Sequence, residues 1–228
     1  MIERPPQLTI RRRFARPSKA VLAGFAGLPI SVIADAQRGR GGLDHRIQAV
    51  TEPASLLGPA LTAWCGPGDN LAALAALELA RPGDVIVIAC DGFDGAGVIG
   101  DRYAGMARNK RLGGIVVDGL VRDRPGIRAA GVPCHARGAS ATSAYASGPG
   151  VVGEPVAIAD VVIESGDLVA ADGDGVIIVP RRNLAAVQEA LVEVRQAEAD
   201  LDRAIADGET GFGWVAELMR SSATRYLD

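Results

Sequence analysis

Arg81-Pro82-Gly83-Asp84-Val85-Ile86-Val87-Ile88-Ala89-Cys90 is the stretch on which the fold turns. Its first four residues stop a helix, because proline lacks the amide a continuing helix needs and glycine loosens the backbone. The six that follow form an unbroken apolar run, as expected of a strand buried on both faces. Upstream, Leu61–Cys65 reads as a strand, and Asp69 is placed to N-cap an Ala- and Leu-rich helix over Asn70–Ala80. Downstream, Asp101–Arg111 reads as a helix, Gly114–Val117 as a strand, Gly126–Ala130 as a short helix and Val132–Ala136 as a strand. Val156–Ile163 is a further strand, and Leu168–Ala171 and Val176–Val179 flank a hairpin-type turn at Asp172-Gly173-Asp174-Gly175. Ser31–Gln37 begins an early helix, and Leu184–Ala206 is long, charged and amphipathic. Strands alternating with helices predict a compact α/β domain with β-rich additions and terminal helical arms.

Composition narrows the function. Of 228 residues, 48% are hydrophobic but only 4% aromatic, with 29 glycines, so the core is built from small aliphatic side chains. That much apolar surface argues against disorder. No stretch is long and apolar enough for a membrane span, and a net charge of −3 is wrong for a broadly basic nucleic-acid binder. Two histidines, His45 and His135, cannot make a three-histidine metal site. Cys65, Cys90 and Cys134 form no CxxC pair, so they read as buried thiols in a reducing cytosol rather than as a zinc site or disulfide framework. Neither Lys19 nor Lys110 is placed for the desolvation a Schiff-base lysine requires. The first nineteen residues are basic. Arg11-Arg12-Arg13-Phe14 ahead of apolar Ala20–Ala34 has the outline of a twin-arginine export signal, but Pro29 and two glycines interrupt the run and no small-x-small cleavage site follows. A solvated arm, packing on a neighbouring subunit, is the expectation. The domain plan is therefore a basic arm over 1–19, an α/β domain over 20–183, and a C-terminal helix and tail over 184–228.

Three motifs invite other functions. Gly95-Ala96-Gly97-Val98-Ile99-Gly100 matches GxGxxG, with Asp118 where a ribose-binding acid could sit. Asp91-Gly92-Phe93-Asp94 intervenes between strand and first glycine, however, whereas a dinucleotide fold has that glycine in the strand-to-helix turn. Asp172–Gly175 lacks the further ligands and terminal Glu of a calcium loop. His135, in the apolar run Val132-Pro133-Cys134, reads as a hydrogen-bonded core histidine.

The segment with chemistry in it is Gly100-Asp101-Arg102-Tyr103, followed by Arg122-Asp123, with twenty residues separating Asp101 from Arg122. Gly100 permits a sharp turn, Asp101 suits an N-cap, and the amides of Arg102 and Tyr103 then face outward from a positive helix end able to hold a carboxylate. The next strand returns the chain so that Arg122 and Asp123 lie beyond its carboxyl end, where ligands of α/β sheets bind. Arg122 offers a planar fork to a carboxylate or keto oxygen, and Asp123 a hard oxygen ligand for magnesium or manganese. On spacing alone, a capped helix with an Arg-Asp surface turn accounts for the same residues equally well.

Asp101, then Arg122-Asp123, resembles the signature of the RraA-like family, which includes metal-dependent 4-hydroxy-4-methyl-2-oxoglutarate/4-carboxy-4-hydroxy-2-oxoadipate aldolases and the regulator of ribonuclease E activity. The resemblance continues through Gly68-Asp69-Asn70, Arg81–Val85, Gly113–Gly119 and Gly166-Asp167…Asp172…Gly175-Val176…Val179-Pro180, and spans Ser31 to Gly211. It implies a three-layer β/β/α swivelling-domain-like fold, assembly as a homotrimer or dimer of trimers, and active sites between subunits. It also implies a metal-dependent carbon–carbon lyase on 2-oxo acids, working by retro-aldol cleavage or oxaloacetate decarboxylation through a metal-stabilised pyruvate enolate in the cytoplasm, with neither nucleic acid nor membrane as partner. By position, Gly100, Asp101, Arg102 and Tyr103 become the substrate-binding loop, Arg122 the substrate arginine and Asp123 the ligand of Mg2+ or Mn2+. Asp101 would order catalytic water, and Glu198, or failing it Glu193, would enter the neighbouring subunit's site. One departure is Gly126, where aldolase members often carry an acid. A non-catalytic regulator of ribonuclease activity is the alternative from the same resemblance, and a nicotinamide-dependent oxidoreductase the alternative from the glycine motif.

Overall fold

The computed structural model describes residues 5–227, so Glu3 and Arg4 of the basic arm lie outside it. In chain order the elements are β1 (Leu8–Ile10), α1 (Lys19–Ala23), α2 (Ile30–Ala36), β2 (Gln48–Ala49), β3 (Leu56–Cys65), α3 (Leu71–Leu79), β4 (Val85–Ala89), β5 (Gly97–Ile99) and α4 (Asp101–Asn109). There follow β6 (Gly114–Val121), α5 (Arg124–Ala130), β7 (Cys134–Ala139), β8 (Gly150–Val152), the β9–β10 hairpin (Val156–Ile158, Val161–Ile163), β11 (Leu168–Asp172), β12 (Gly175–Val179), α6 (Leu184–Ala206) and α7 (Gly213–Arg220).

The central strands β3, β4, β6 and β7 run parallel, and the apolar run at Val85–Ala89 sits in their middle, between β3 and β6. Its alternate side chains serve two cores. Ile86 and Ile88 join Leu61, Ile115 and Val117 under the helices, meeting Ala72, Ala76, Ala104 and Ile127. Val85, Val87 and Ala89 face the other way, with Val116, toward Ile158, Val169 and Ile178 of the outer β layer. Each fully buried branched side chain contributes about 1.5–3 kcal/mol, so a strand apolar on both faces is the anchor of the sheet. Alanines at the helix contacts let α3 and α4 approach closely, as the small-residue composition requires. The result is the expected three-layer β/β/α arrangement.

β3 joins the two β layers. Its first half pairs with β11, Leu168 opposite Pro59, and its second half with β4 from Ala60 onward. The strand expected at Leu61–Cys65 thus begins at Leu56, running through Gly58 and Pro59. Gly58 is needed there because a side-chain carbon would meet the Gly83 carbonyl oxygen at 2.2 Å. Likewise β6 continues past Val117 through Asp118 to Val121. Asp118 is buried within the strand, accepting from the Gly92 amide (3.0 Å) and the Arg137 guanidinium, which in turn donates to Asp44 at 3.0 Å.

The N-terminal stretch from residue 8 is not a free arm. β1 adds in parallel to β8 at the sheet edge, and Arg16 grips the buried Asp84 through two bonds of 2.7 and 2.8 Å while its guanidinium lies over Phe14. A buried carboxylate needs such a cation. Asp84 also accepts from the Arg81 amide at 2.9 Å, closing the turn that ends α3.

The first compact unit ends at Leu191, within α6, and a second begins at Val192. In the second, the rings of Phe212 and Trp214 lie 6.4 Å apart beside α7, and Tyr226 donates to the Met219 carbonyl at 2.8 Å. Among the described residues no helix is long and apolar enough to cross a membrane.

Candidate functional site

β5 and β6 end side by side, and the Arg122 amide donates to the Ile99 carbonyl at 2.9 Å, so the two chain reversals that follow open onto one place. Gly100 to Tyr103, Arg122 and Asp123 line a single cleft of about 420 Å³, together with Asn70, Ser143 and others. The twenty-residue spacing is the length of one helix and strand, α4 and β6, between two visits to the same carboxyl edge.

At the first reversal Gly100, not Asp101, is the N-cap, with φ −141° and ψ −163°. Asp101 is the first helical residue, and its Oδ1 accepts from the Arg102 amide at 2.7 Å. The expectation of an Asp101 cap with a free Arg102 amide is therefore corrected by one position. The first intrahelical bond runs from the Ala104 amide to the Gly100 carbonyl, which leaves the amides of Asp101 and Tyr103, ahead of it, without an intrahelical partner. Tyr103 offers nothing more than its amide. Its ring is buried and its hydroxyl donates to the Ala73 carbonyl at 2.9 Å, while burial drives its pKa well up. A one-residue shift also occurs at α3, where Asn70 is the N-cap. Asp69 sits outside and accepts from the amides of Leu71 (2.8 Å), Ser147 (2.6 Å) and Gly148 (2.9 Å).

At the second reversal Asp123 adopts a left-handed backbone, φ 57° and ψ 41°, and its carbonyl accepts from Gly126 and Ile127 to start α5. Non-glycine residues hold this conformation at a cost, Asp and Asn less than most. The twist is what turns a strand end so that adjacent side chains, Arg122 and Asp123, share one cleft. Arg122 Nε donates to Asp123 Oδ2 at 2.9 Å, and Nη1 to the hydroxyl of Ser143. Arg122 is 38% and Asp123 40% exposed, so their pairing adds at most about 1 kcal/mol to stability. Its importance is geometric.

Two glycines let these parts touch. A side-chain carbon at Gly100 would stand 2.8 Å from Asp123 Oδ2 and 3.1 Å from Arg122 Cγ. One at Gly126 would stand 2.5 Å from Asp101 Cβ. The departure from the aldolase pattern at Gly126 is thus matched by Asp101 packing against bare backbone. Gly100→Ala tests the first contact. Its extended backbone suits alanine, so thermal unfolding should scarcely move, while displacement of Arg122 and Asp123 should lower kcat/KM about tenfold.

Among the described residues there is no group of three or more His, Cys, Asp or Glu side chains that could hold an ion. One exposed carboxylate at a cleft with a second nearby fits magnesium all the same, because that ion keeps several waters and takes one or two carboxylates plus substrate oxygens. The three cysteines are free and buried, and burial pushes Cys65 and Cys134 up to about 12 and Cys90 higher still, which leaves no thiolate nucleophile among them. His135 is buried with Nε2 3.0 Å from the Asp172 carbonyl oxygen, and burial lowers its pKa. Gly97–Ile99 of the glycine motif is strand β5 and Gly95 packs under the Phe93 ring, so these glycines do not form a strand-to-helix phosphate turn.

Glu198 and Glu193 are exposed on α6 beyond Leu191, in the second unit, and the described lining residues of the cleft belong to the first. Two of the polar lining residues, Asn70 and Ser143, are not marked as site residues by the sequence motifs. Asn70, within Gly68-Asp69-Asn70, donates through Nδ2 to the Val98 carbonyl at 3.0 Å, leaving its buried Oδ1 without a partner. Ser143 had no local signal.

The chain is similar to "Putative 4-hydroxy-4-methyl-2-oxoglutarate aldolase" of Halalkalibacterium halodurans, 35% identical over 186 residues, covering 80% of this chain and 87% of that one. A similarly named protein of Arabidopsis thaliana, "Putative 4-hydroxy-4-methyl-2-oxoglutarate aldolase 3", is 33% identical over 110 residues, 48% of this chain and 66% of that one. Among solved structures, Streptomyces coelicolor RraAS2, described as an unusual member of the RNase ES inhibitor RraA protein family, superposes with a TM-score of 0.74 at 29% identity over 84% of this chain and 99% of that one. The family model RraA-like (Aldolase/RraA) matches residues 30–178, and the chain belongs to that family.

Proposed function

We propose that this protein is a divalent-metal-dependent carbon–carbon lyase on 2-oxo acids, cleaving 4-hydroxy-4-methyl-2-oxoglutarate-type substrates to pyruvate and decarboxylating oxaloacetate in the same site. The observation that carries this reading is the convergence of Arg122, Asp123, Asp101 and the first-turn amides of α4 on one cleft. The name of the Halalkalibacterium halodurans relative supports the substrate class. Asp123 would hold Mg2+ or Mn2+, which when bound supplies positive charge where the substrate's keto oxygen turns into an enolate oxygen.

The chain's own groups supply the rest. Arg122 binds the carboxylate and keto end with its unused N–H groups, and the amides of Asp101 and Tyr103 hold the same end. In the retro-aldol direction the C3–C4 bond breaks, its electron pair enters the enolate, and the C4 hydroxyl loses its proton. A water ordered by Asp101 takes that proton and returns one to C3, giving pyruvate. Glu198 of a neighbouring copy would share this duty. In this reading the protein works as a homotrimer or pair of trimers in the cytoplasm.

Pyruvate release from oxaloacetate is the test: it should require Mg2+ or Mn2+ and vanish with a chelator. Release that ignores the chelator would reject the metal mechanism. The description of Streptomyces coelicolor RraAS2 favours a second reading, a non-catalytic ribonuclease regulator, and absence of turnover on every 2-oxo acid tried would select it.

A further inference from the structure

The segment from Ser140 to Gly148 is tied down along its length. Ser140 donates to the Val121 carbonyl, Thr142 and Ala144 bracket Gly97, and Tyr145 donates to the Gly68 carbonyl while accepting from the Asn70 amide. Ser147 and Gly148 end on the Asp69 carboxylate. Ser143 sits in the middle of this tethered rim, so its hydroxyl is presented to the cleft by a fixed backbone rather than a swinging loop.

That hydroxyl receives Arg122 Nη1. The stem of Arg122 is already fixed, since its Cβ and Cγ lie over Gly97 and Gly100, 3.1 Å from where a side-chain carbon of each would be. Nε is spent on Asp123. A guanidinium has five N–H donors, so three remain, including both on Nη2. Were Ser143 absent, the terminal plane could rotate and close on Asp123 with two bonds, the pairing arginine prefers with a carboxylate. Arg122 would then be withdrawn from a ligand and Asp123 occupied by its own neighbour.

We propose that Ser143 is a positioning residue: it holds Arg122 with its free Nη edge toward a substrate carboxylate and keeps Asp123 from being taken up by a two-bond ion pair. The proposal deepens the lyase reading and rests on it for its kinetic consequence.

The test compares Ser143→Ala and Ser143→Thr with the unaltered protein in oxaloacetate turnover at saturating Mg2+ and in NMR of 15N-arginine-labelled protein. Loss of one hydrogen bond to a charged group should raise KM about tenfold in Ser143→Ala with kcat little changed, and Ser143→Thr, which keeps the hydroxyl, should restore it. The Arg122 Nη1 and Nη2 signals should be separate in the unaltered protein and in Ser143→Thr, and in Ser143→Ala both should shift, as Nη1 loses Ser143 and the guanidinium closes on Asp123 with two bonds. Unchanged KM in Ser143→Ala overturns the proposal, and so does averaging of the Arg122 signals in the unaltered protein. Should the unaltered protein turn over no 2-oxo acid, the lyase reading fails by itself, and the NMR comparison still decides whether Ser143 holds Arg122.

Discussion

Asp123→Asn should lower metal-dependent pyruvate release by about a thousandfold while leaving the fold intact. Asparagine is the informative replacement because residue 123 lies in the left-handed region and starts α5 through its carbonyl. Asparagine tolerates that backbone nearly as well as aspartate, so the substitution removes charge and little else. The amide oxygen can still accept from Arg122 Nε, which keeps the guanidinium near its present position. What disappears is the anionic oxygen that a hard cation requires. A cation's stabilisation of developing negative charge amounts to several kcal/mol, and about 4 kcal/mol corresponds to roughly a thousandfold in rate. Stability should hold, because Arg122 and Asp123 are 38% and 40% exposed and their ion pair adds little. The measurement is turnover across a Mg2+ titration beside thermal unfolding. Retention of more than about a tenth of the rate would remove Asp123 as the ligand.

The parts of the fold legible in the sequence are those dictated by local pattern. β4 (Val85–Ala89) announces itself because the six successive apolar residues Val85–Cys90 after a helix stop have few other homes, and α6 spans Leu184–Ala206 as its periodicity predicts. Errors fall where a distant contact overrides a local signal. The strand expected at Leu61–Cys65 starts five residues earlier, at Leu56, because Gly58 lies against the Gly83 carbonyl and the first half pairs with β11. The strand expected over Gly114–Val117 runs on to Val121, because Arg137 and the Gly92 amide satisfy the buried Asp118 carboxylate. The run at Val156–Ile163 is really two short strands reversing at Ala159, which takes positive φ.

The site divides the same way. Gly100–Tyr103 and Arg122-Asp123 could be brought together from sequence because a helix followed by a parallel strand returns the chain to the same edge of the sheet. Which amides face the cleft could not be read, since that depends on whether Gly100 or Asp101 takes the cap. Ser143 lies twenty residues beyond Asp123, in a stretch of small polar residues. Only the backbone pairing of its segment with Gly97 and Gly68 identifies it as part of the cleft.

Arg122→Lys should cost about a hundredfold in kcat/KM although the charge is conserved. In the present geometry one guanidinium answers three demands in one plane: Nε reaches Asp123, Nη1 reaches Ser143, and Nη2 is left for a ligand. Lysine places three donors around a single nitrogen at the end of a flexible stem, so it cannot meet Asp123 and Ser143 at separate points and still present a planar edge. It would settle beside Asp123, where a compact ammonium finds its nearest carboxylate, and compete there with the cation. Two losses therefore combine: the fork for the substrate carboxylate and an unencumbered metal ligand. The first should appear as a higher KM and the second as a need for more Mg2+, so both concentrations must be varied. Extra Mg2+ should recover only part of the activity, because it cannot replace the fork. If Arg122→Lys turned over like the unaltered protein at ordinary Mg2+, planar recognition by Arg122 would be wrong, and Asp123 with the α4 amides would have to hold the substrate without it.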